Sequence, residues 1–334
     1  MARFGLLLDT RGAVVAGQRE SLGDLLGLAG RAEDLGFDFI SVGDSMLAKP
    51  RFAAIGMLAA VAAITTRIEV TSGILQPHLR HPVHLAQEWA TLDTLSGGRT
   101  TLALGLGSGR RDLVAAELAQ VGLSHRTRGA AFEESVSLLR ELWTSSGPVT
   151  YRGRFWTLND VDPGYRPVRP GGVPILIACG TYNYNPGPGS TDTLLGRPDR
   201  VARLGDGWIA GMLKPQEWAG MWDRLQAEGK ALGRDLTADG FERRLSTYIH
   251  VGHAAGGVGA VRNYLEAYQG LPLDDAALDR WLIYGSTAEC ACQLNEFIDA
   301  GVTSFQFAIA SPDQAGQLER LADVLGSLTP ATTR

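Results

Sequence analysis

Residues 68–106, IEVTSGILQPHLRHPVHLAQEWATLDTLSGGRTTLALGL, contain one complete strand–helix–strand unit. Ile68–Leu75 is rich in apolar and β-branched residues and predicts a strand, and Thr100–Leu106 predicts the next strand. Between them, Pro82–Leu95 has helical spacing and a proline in its first turn. A helix that joins two strands of one sheet in this way makes them parallel. The fold therefore depends on how many such units the chain contains.

The same alternation extends over the whole chain. Further strands are predicted at Phe4–Leu8, Phe37–Val42, Pro174–Cys179, Gly207–Gly211, Leu245–Val251 and Gly301–Ala310. Further helices are predicted at Leu22–Leu35, Phe52–Ile64, Ala130–Trp143, Thr191–Leu204, Pro215–Leu232, Val258–Tyr268, Thr287–Ala300 and Ala315–Leu328.

Eight strand–helix units with no break in composition predict a single-domain TIM-type (β/α)₈ barrel over residues 1–328. An open, doubly wound sheet is the alternative, and the count of eight favours the closed barrel. Residues 145–172 and 181–190 are rich in Gly and Pro, and we interpret them as loop insertions at the C-terminal face. Residues 329–334 are expected to form a disordered tail.

Composition excludes several classes of function. A formal net charge of −5 over 334 residues leaves no basic surface that would predict binding to nucleic acid or to a membrane. Phe52–Ile64, the longest nearly uncharged stretch, is too short to cross about 30 Å of hydrocarbon. The apolar run before Asp9 is too short for a signal peptide, so a cytoplasmic protein is expected. Cys290 and Cys292 point to different faces of a predicted helix, and no metal site is expected.

Candidate functional residues lie where the predicted strands end, because active sites of such barrels are built at the C-terminal ends of the strands. Strand two ends in Gly43-Asp44-Ser45, where helix capping is the alternative role of either polar side chain. Strand four ends in the glycine-rich run Leu104–Gly109, which either approaches a ligand or forms a tight turn. His250, near the end of strand seven, is either an acid–base group or a core histidine.

Segment 80–109, from Arg-His-Pro-Val-His to Leu-Gly-Leu-Gly-Ser-Gly, resembles the signature of the luciferase-like flavin- and deazaflavin-dependent oxidoreductases. Supporting matches occur at Phe4-Gly5-Leu6, Ala32–Asp38, Arg152–Trp156 and Gly205–Trp208. The resemblance covers nearly all of residues 1–310 and keeps the order of the elements.

The resemblance implies that FMN or the deazaflavin coenzyme F420 binds in the barrel mouth, and the choice between them stays open. It implies a non-proline cis peptide at Gly73–Ile74 that bulges toward the cofactor ring. The residues that would contact the cofactor are Asp44, Ser45, Ser72, Gly73, Ile74, Gln76, Gly107, Ser108, Gly109, Ala178, Cys179, Gly180 and Thr181. Arg110 and Arg111 follow the glycine run and could meet an anionic tail of the cofactor.

The sequence departs from the family at the end of strand two. Deazaflavin-linked sugar and alcohol dehydrogenases of this family have Asp-His there, whereas this chain has Asp44-Ser45. A serine hydroxyl does not supply acid–base catalysis near neutral pH by itself. The difference favours monooxygenation or the reduction of an unsaturated substrate over alcohol dehydrogenation, with His250, Asp44 and Ser45 as the candidate catalytic residues.

Other functions remain open at this stage. The main alternative is a non-catalytic flavin-binding or carrier protein on the same barrel, and a weaker one is a phosphosugar isomerase. The expected partners are a small-molecule substrate, a separate flavin reductase if the cofactor is FMN, and a second copy of the chain. The Ala-rich predicted helix Phe52–Ile64 could serve close packing in such a homodimer.

Overall fold

The chain forms a closed barrel of parallel strands in a computed structural model that describes residues 2–12, 22–182, 194–238 and 240–328. The barrel strands are β1 (Arg3–Leu7), β2 (Phe39–Val42), β3 (Glu69–Ser72), β4 (Thr100–Leu104), β5 (Ile175–Ala178), β6 (Gly207–Gly211), β7 (Glu242–Val251) and β8 (Ser304–Ile309). Consecutive strands are neighbours, β1 pairs with β8, and β6 pairs with β7. The predicted TIM barrel is therefore confirmed.

Helices surround the barrel on its outer face. They are α1 (Leu22–Asp34), α2 (Ala54–Ile64), α3 (Pro82–Leu95), α4 (Arg111–Ala119), α5 (Arg128–Thr144), α6 (Pro198–Leu204), α7 (Pro215–Ala231), α8 (Gly257–Gln269), α9 (Asp275–Trp281), α10 (Thr287–Asp299) and α11 (Gln314–Gly326). None of the helices in the described ranges is long and apolar enough to cross a membrane.

Several elements differ from their predicted bounds. The predicted strand Ile68–Leu75 ends at Ser72, because the chain turns away from the sheet at Gly73–Ile74. Within 145–172, residues Val149–Arg152 and Thr157–Val161 form an antiparallel hairpin. The predicted place of this insertion at the C-terminal face is wrong, because it precedes β5, packs on Glu134 of α5 and reaches the Gly98 carbonyl at the start of β4. The sequence did not predict α4, α9 or the strand Leu282–Gly285, which pairs with the upper part of β7. Residues 183–190 of the predicted loop 181–190 and the predicted tail 329–334 lie outside the described residues.

A network of charged side chains closes the lower end of the barrel. Arg244 of β7 has no exposed surface, and its guanidinium lies over the Phe39 ring of β2 at 3.9 Å. It pairs with Glu242 at 2.7 Å and with Glu69 of β3 at 3.3 Å, and Arg3 pairs with the same two carboxylates. Since β2 and β3 are not neighbours of β7, the Arg244 side chain crosses the interior of the barrel.

Arg244→Met is expected to lower the free energy of unfolding by about 3–5 kcal/mol at neutral pH, because two buried carboxylates lose their main partner. Burial raises the pKa of Glu242, but Arg244 and Arg3 lower it more, and the net pKa lies below 4.5. The stabilisation from ionised Glu242 is therefore present above pH 4.5 and is lost as the pH falls below it. Urea denaturation of the wild-type protein and of Arg244→Met measures this. The difference between their free energies of unfolding should become smaller as the pH falls below 4.5.

Arg31→Met is the matched control, because Arg31 forms an equally short pair with Glu319 on the exposed surface. We expect its unfolding curve to overlay that of the wild-type protein. Equal losses in both variants would contradict the structural role of the Arg244 network.

Candidate functional site

A cleft opens at the C-terminal end of the barrel. Its floor and walls come from the segments that follow β2, β3 and β4, from the middle of β7, and from the end of α8. The lining residues used below are Asp44, Ser45, Lys49, Arg51, Gly73, Ile74, Gln76, Gly107, Ser108, Tyr248, Tyr268, Gln269 and Trp281. The cleft therefore brings together predicted residues from the ends of β2, β3 and β4.

The peptide bond Gly73–Ile74 is cis, as the resemblance implied. Both sides of this bulge are held by neighbouring strands: Asp44 N–H donates to the Ile74 carbonyl at 3.1 Å, and Leu75 N–H donates to the Ala103 carbonyl at 2.8 Å. The Ser72 hydroxyl donates to the same Ala103 carbonyl at 2.6 Å. The bulge is thus a fixed surface in the wall of the cleft.

Asp44 is bound to Arg80 by two hydrogen bonds of 2.7 Å each, with its side chain 5% exposed. Its Oδ2 atom also accepts a hydrogen bond from the Gln76 N–H at 3.2 Å. These contacts join the end of β2 to the segment that carries the Gly73–Ile74 bulge. The position of Asp44 therefore makes it a residue that holds the wall of the cleft together.

Ser45 contacts a residue that the sequence did not single out. Its hydroxyl donates to Oε1 of Glu117 in α4 at 2.9 Å and accepts the Lys49 N–H at 2.9 Å. The same Glu117 oxygen accepts the backbone N–H groups of Met46 and Leu47. Glu117 is 1% exposed and orders the loop after β2. The sequence analysis did not identify Glu117 because it did not predict α4, the helix in which Glu117 lies.

Glycines let the opposite wall of the cleft pack directly against Gln76 and the bulge. A Cβ atom on Gly107, which has a φ of +75°, would lie 2.0 Å from Oε1 of Gln76. A Cβ atom on Gly105 would lie 2.1 Å from Cδ1 of Ile74. Any other residue at these positions would push against the bulge, so the glycine-rich run is required by close approach. Gly109 also has a positive φ, of +149°.

The predicted phosphate-binding segment Ala178–Thr181 lies at the end of β5. Gly180 has a φ of +84°, and Cys179 is buried, which raises the pKa of its thiol to about 12. Nearby, Arg128 of α5 donates to the Leu106 carbonyl at 3.4 Å, and burial together with Arg111 and Arg200 lowers its pKa. The ends of β4 and β5 therefore share a positively charged neighbourhood.

Arg110 and Arg111 differ in their surroundings. Arg110 forms an exposed pair with Asp112 at 2.7 Å. Arg111 begins α4, and its charge acts on Arg128. The sequence suggested both residues as contacts for an anionic tail. Of the two, only Arg111 acts on Arg128 beside the end of β4.

His250 lies outside the cleft, in a second cavity lined by Gly252, Ser311 and Gln317. Its Nδ1 atom lies 3.1 Å from the Ala310 carbonyl, and its ring stacks on Tyr284 at 5.8 Å. The structure thus separates His250 from Asp44 and Ser45, which line the main cleft. The β-strand pattern predicted that His250 lies near the strand end but not which of two cavities it faces.

The cleft and its edge contain cations and aromatic rings that sequence reasoning missed. Lys49 Nζ donates to Gln269 Oε1 at 2.8 Å, and Gln269 Nε2 donates to the Tyr248 hydroxyl at 2.6 Å. Arg51 donates from Nε to the Lys49 carbonyl at 3.1 Å. Arg11 lies over the Tyr268 ring at 5.6 Å. These residues come from three distant parts of the sequence, and no local pattern connects them.

Asp44→Asn is expected to lower the free energy of unfolding by about 3 kcal/mol or more, because it leaves the partly buried Arg80 without its charged partner. Asp112→Asn is the matched control, since the Arg110–Asp112 pair has the same residue types on the exposed surface. We expect no measurable loss in the control. Urea denaturation of the two variants tests this, and a wild-type midpoint for Asp44→Asn would contradict it.

The chain is similar in sequence to several known proteins. The model of the luciferase-like monooxygenase family matches residues 1–185. An F420-dependent glucose-6-phosphate dehydrogenase of Kineococcus radiotolerans is 28% identical over 92% of this chain and 94% of its own length. The corresponding protein of Amycolatopsis mediterranei is 27% identical over 91% of this chain and 94% of its own length.

A solved structure has the same fold. An F420-dependent secondary alcohol dehydrogenase, in complex with an F420-acetone adduct, matches with a TM-score of 0.76, at 19% identity, over 98% of this chain and 99% of its own. At that identity the likeness shows the barrel alone. The match of the family model covers more than half of the sequence. This chain therefore belongs to the luciferase-like monooxygenase family, and it is an F420- or FMN-dependent oxidoreductase.

Proposed function

We propose that this protein uses coenzyme F420 to transfer a hydride to or from a small organic substrate. The observation that carries the proposal is the similarity to F420-dependent dehydrogenases along about nine tenths of the chain. That similarity includes β6, β7 and β8, which the family match over residues 1–185 does not reach. The strands that build the substrate side of the cleft are therefore part of the likeness.

The residues of the cleft fit a planar ring with an anionic arm. Gly105 and Gly107 let the segment after β4 pack directly against Ile74 and Gln76, so the bulge and this segment form one continuous wall of the cleft. Ser72, Gly73, Ile74 and Gln76 would hold the ring, and Gly107, Ser108 and Gly109 would lie along its ribityl chain. Ala178, Cys179, Gly180 and Thr181 would bind the phosphate.

Charge supports F420 over FMN. Both cofactors carry a phosphate, and F420 continues beyond it into a chain of carboxylates. Arg128 and Arg111 lie together beside the end of β4, where such a chain would leave the cleft. Two guanidinium groups provide more positive charge than a single phosphate needs, and they can bind successive carboxylates of an extended anion.

When bound, the deazaflavin supplies a hydride donor or acceptor at C5 of its ring. At a carbonyl or alcohol substrate, the accompanying proton needs a group in the same cleft. The Tyr248 hydroxyl is the group to which we assign it, because the Gln269 amide holds Tyr248 and connects it to the Lys49 ammonium. Tyr248 and Trp281, whose rings lie 5.2 Å apart, also exclude water from the cleft.

Two of the three predicted catalytic residues take a supporting role in this proposal. Asp44 holds Arg80, and Ser45 holds Glu117, so both side chains shape the cleft from behind. His250 lies in the second cavity and stays a prediction. FMN-dependent monooxygenation with a separate reductase is the alternative activity in the same family. Location in the cytoplasm and a homodimer also stay predictions.

The first experiment is equilibrium titration of the purified protein with F420 and with FMN, followed by cofactor fluorescence. We expect F420 to bind at least about tenfold more tightly than FMN. Gly107→Ala should abolish this binding, because its Cβ atom would collide with Gln76. Gly122→Ala is the matched control: Gly122 has a φ of +70°, and nothing lies within 4 Å of its Cβ position. Preferential binding of reduced FMN would contradict the proposal.

The second experiment separates the two candidate acid–base residues. On a carbonyl or alcohol substrate that gives turnover with F420, Tyr248→Phe is expected to lower kcat by about 10²–10⁴-fold while the dissociation constant of F420 changes little. His250→Gln should keep kcat within a few-fold of the wild-type value. The reverse result, with activity lost in His250→Gln only, would return the proton-transfer role to His250. A protein that binds F420 but turns over no substrate would instead be a carrier.

A further inference from the structure

Three cations lie in and beside the cleft without forming an ion pair to any residue that the structure describes: Lys49 and Arg51 line it, and Arg11 lies over the ring of Tyr268 in its wall. Arg51 donates to the Lys49 carbonyl at 3.1 Å, and the Lys49 ammonium donates to Gln269, which follows the Tyr268 ring that Arg11 covers. Burial and the charges of Arg51 and Arg11 lower the pKa of Lys49 to about 7. None of the three cations forms an ion pair with any carboxylate in residues 2–12, 22–182, 194–238 and 240–328. The chain therefore concentrates positive charge at one point of its cleft.

Arg11 is the most informative of the three. It is 6% exposed, and its Nε and Nη1 atoms have no hydrogen-bond partner within the part of the chain that the structure describes. A buried guanidinium with unsatisfied N–H groups destabilises a protein unless something else binds there. Its neighbour Tyr268 presents a ring face to it, which offsets only part of that cost.

The nearby carboxylates are already engaged elsewhere. Asp44 is bound to Arg80, and Glu117 holds the loop after β2. Asp9 accepts the Gly12 N–H at 2.7 Å and the Tyr264 hydroxyl at 3.4 Å, and its charge acts on Arg11. Asp9 therefore offsets part of the charge of Arg11 alone, and positive charge remains in excess.

We infer that Arg11, Lys49 and Arg51 form a subsite for an oxyanion, the carboxylate or phosphate group of an organic substrate. The inference rests on the proposed function, since it identifies the substrate class of the same cleft. Guanidinium groups bind such oxyanions through paired N–H donors, and the ammonium adds a third charged donor.

The surroundings match an organic anion rather than a free ion. The rings of Tyr248, Tyr268 and Trp281 lie within the same cleft and provide apolar area for the remainder of the molecule. Arg51 occupies the space that a side chain on Gly43 would fill: a Cβ atom there would lie 2.1 Å from Nη1 and 3.7 Å from the Gly73 carbonyl. An anion held by Arg51 would therefore keep its substrate beside the bulge that carries the cofactor ring.

The test measures binding of two probes, inorganic phosphate and benzoate, to the protein without cofactor. The sequence contains three lysines, Lys49, Lys214 and Lys230, so side-chain labelling with ¹⁵N-lysine gives few signals. We expect either probe to raise the pKa of Lys49, because a bound negative charge favours the ammonium. Lys214 and Lys230 lie outside the cleft and serve as internal references whose signals should not respond to either probe.

Arg51→Gln and Arg11→Gln are each expected to raise the dissociation constant of the probe by at least about tenfold. Arg262→Gln is the matched control. Arg262 lies on α8, the helix of Tyr268 and Gln269, and the change removes one positive charge from its exposed pair with Asp275 of α9. The relative affinities for phosphate and benzoate decide whether the substrate carries a phosphate or a carboxylate. If Arg11→Gln fails to fold, Arg51→Gln and the wild-type titration still decide the question.

The outcomes separate this inference from the proposed function. If F420 binds but neither probe changes the titration of Lys49, the oxyanion subsite is wrong and the F420 proposal stands. If the protein binds a probe through Arg51 but does not bind F420, the oxyanion subsite stands and the proposed use of F420 is wrong. If Arg51→Gln weakens F420 and leaves the probes unaffected, the cations serve the cofactor instead, which overturns the inference.

Discussion

The ion pair between Asp44 and Arg80 is the contact on which the cleft depends. It joins the end of β2 to the segment after β3, and this segment contains both the Gly73–Ile74 bulge and Gln76. Gln76 in turn faces Gly107 of the third wall. A displacement of Arg80 would therefore move three strand ends at once. The Asp44 side chain is only 5% exposed. If Arg80 were removed, the Asp44 carboxylate would therefore remain charged with little solvent to stabilise it.

The loops around the barrel are ordered by a repeated device, in which one helical glutamate accepts several backbone N–H groups. The Glu117 carboxylate accepts hydrogen bonds from the backbone N–H groups of Met46 and Leu47. The Glu134 carboxylate of α5 accepts them from the N–H groups of Arg154, Phe155 and Trp156. Glu33 of α1 receives Thr66, Arg67 and Ile68. Burial raises the pKa of Glu33, but these N–H groups lower it more, so the carboxylate stays ionised near neutral pH. Such loops need few apolar contacts to hold their shape.

The barrel could be predicted from sequence because its strands and helices are local patterns. Each strand is a short apolar run and each helix has one apolar face, and eight such units leave few other topologies. The cis bond at Gly73–Ile74 was also predictable, but only through family resemblance. The helix α4 was missed because its residues have a weak pattern, and with it the role of Glu117. In the same way, the neighbours of Lys49 lie on β7 and α8, about 200 residues further along the chain.

The distribution of ion pairs explains why the cleft differs chemically from the rest of the molecule. Many of the described arginines meet carboxylates even where the pair is exposed, as with Arg31 and Glu319 or Arg110 and Asp112. Others bind backbone carbonyls, as Arg234 does with the Gly205 carbonyl at 3.0 Å. Inside the cleft the chain neutralises Arg80 and leaves Arg11 and Arg51 without such partners. Exposed pairs contribute little to stability, whereas an unpaired buried cation destabilises the fold. The cluster thus gives up stability at a place where an incoming anion would restore it, which is how a binding site differs from a structural core.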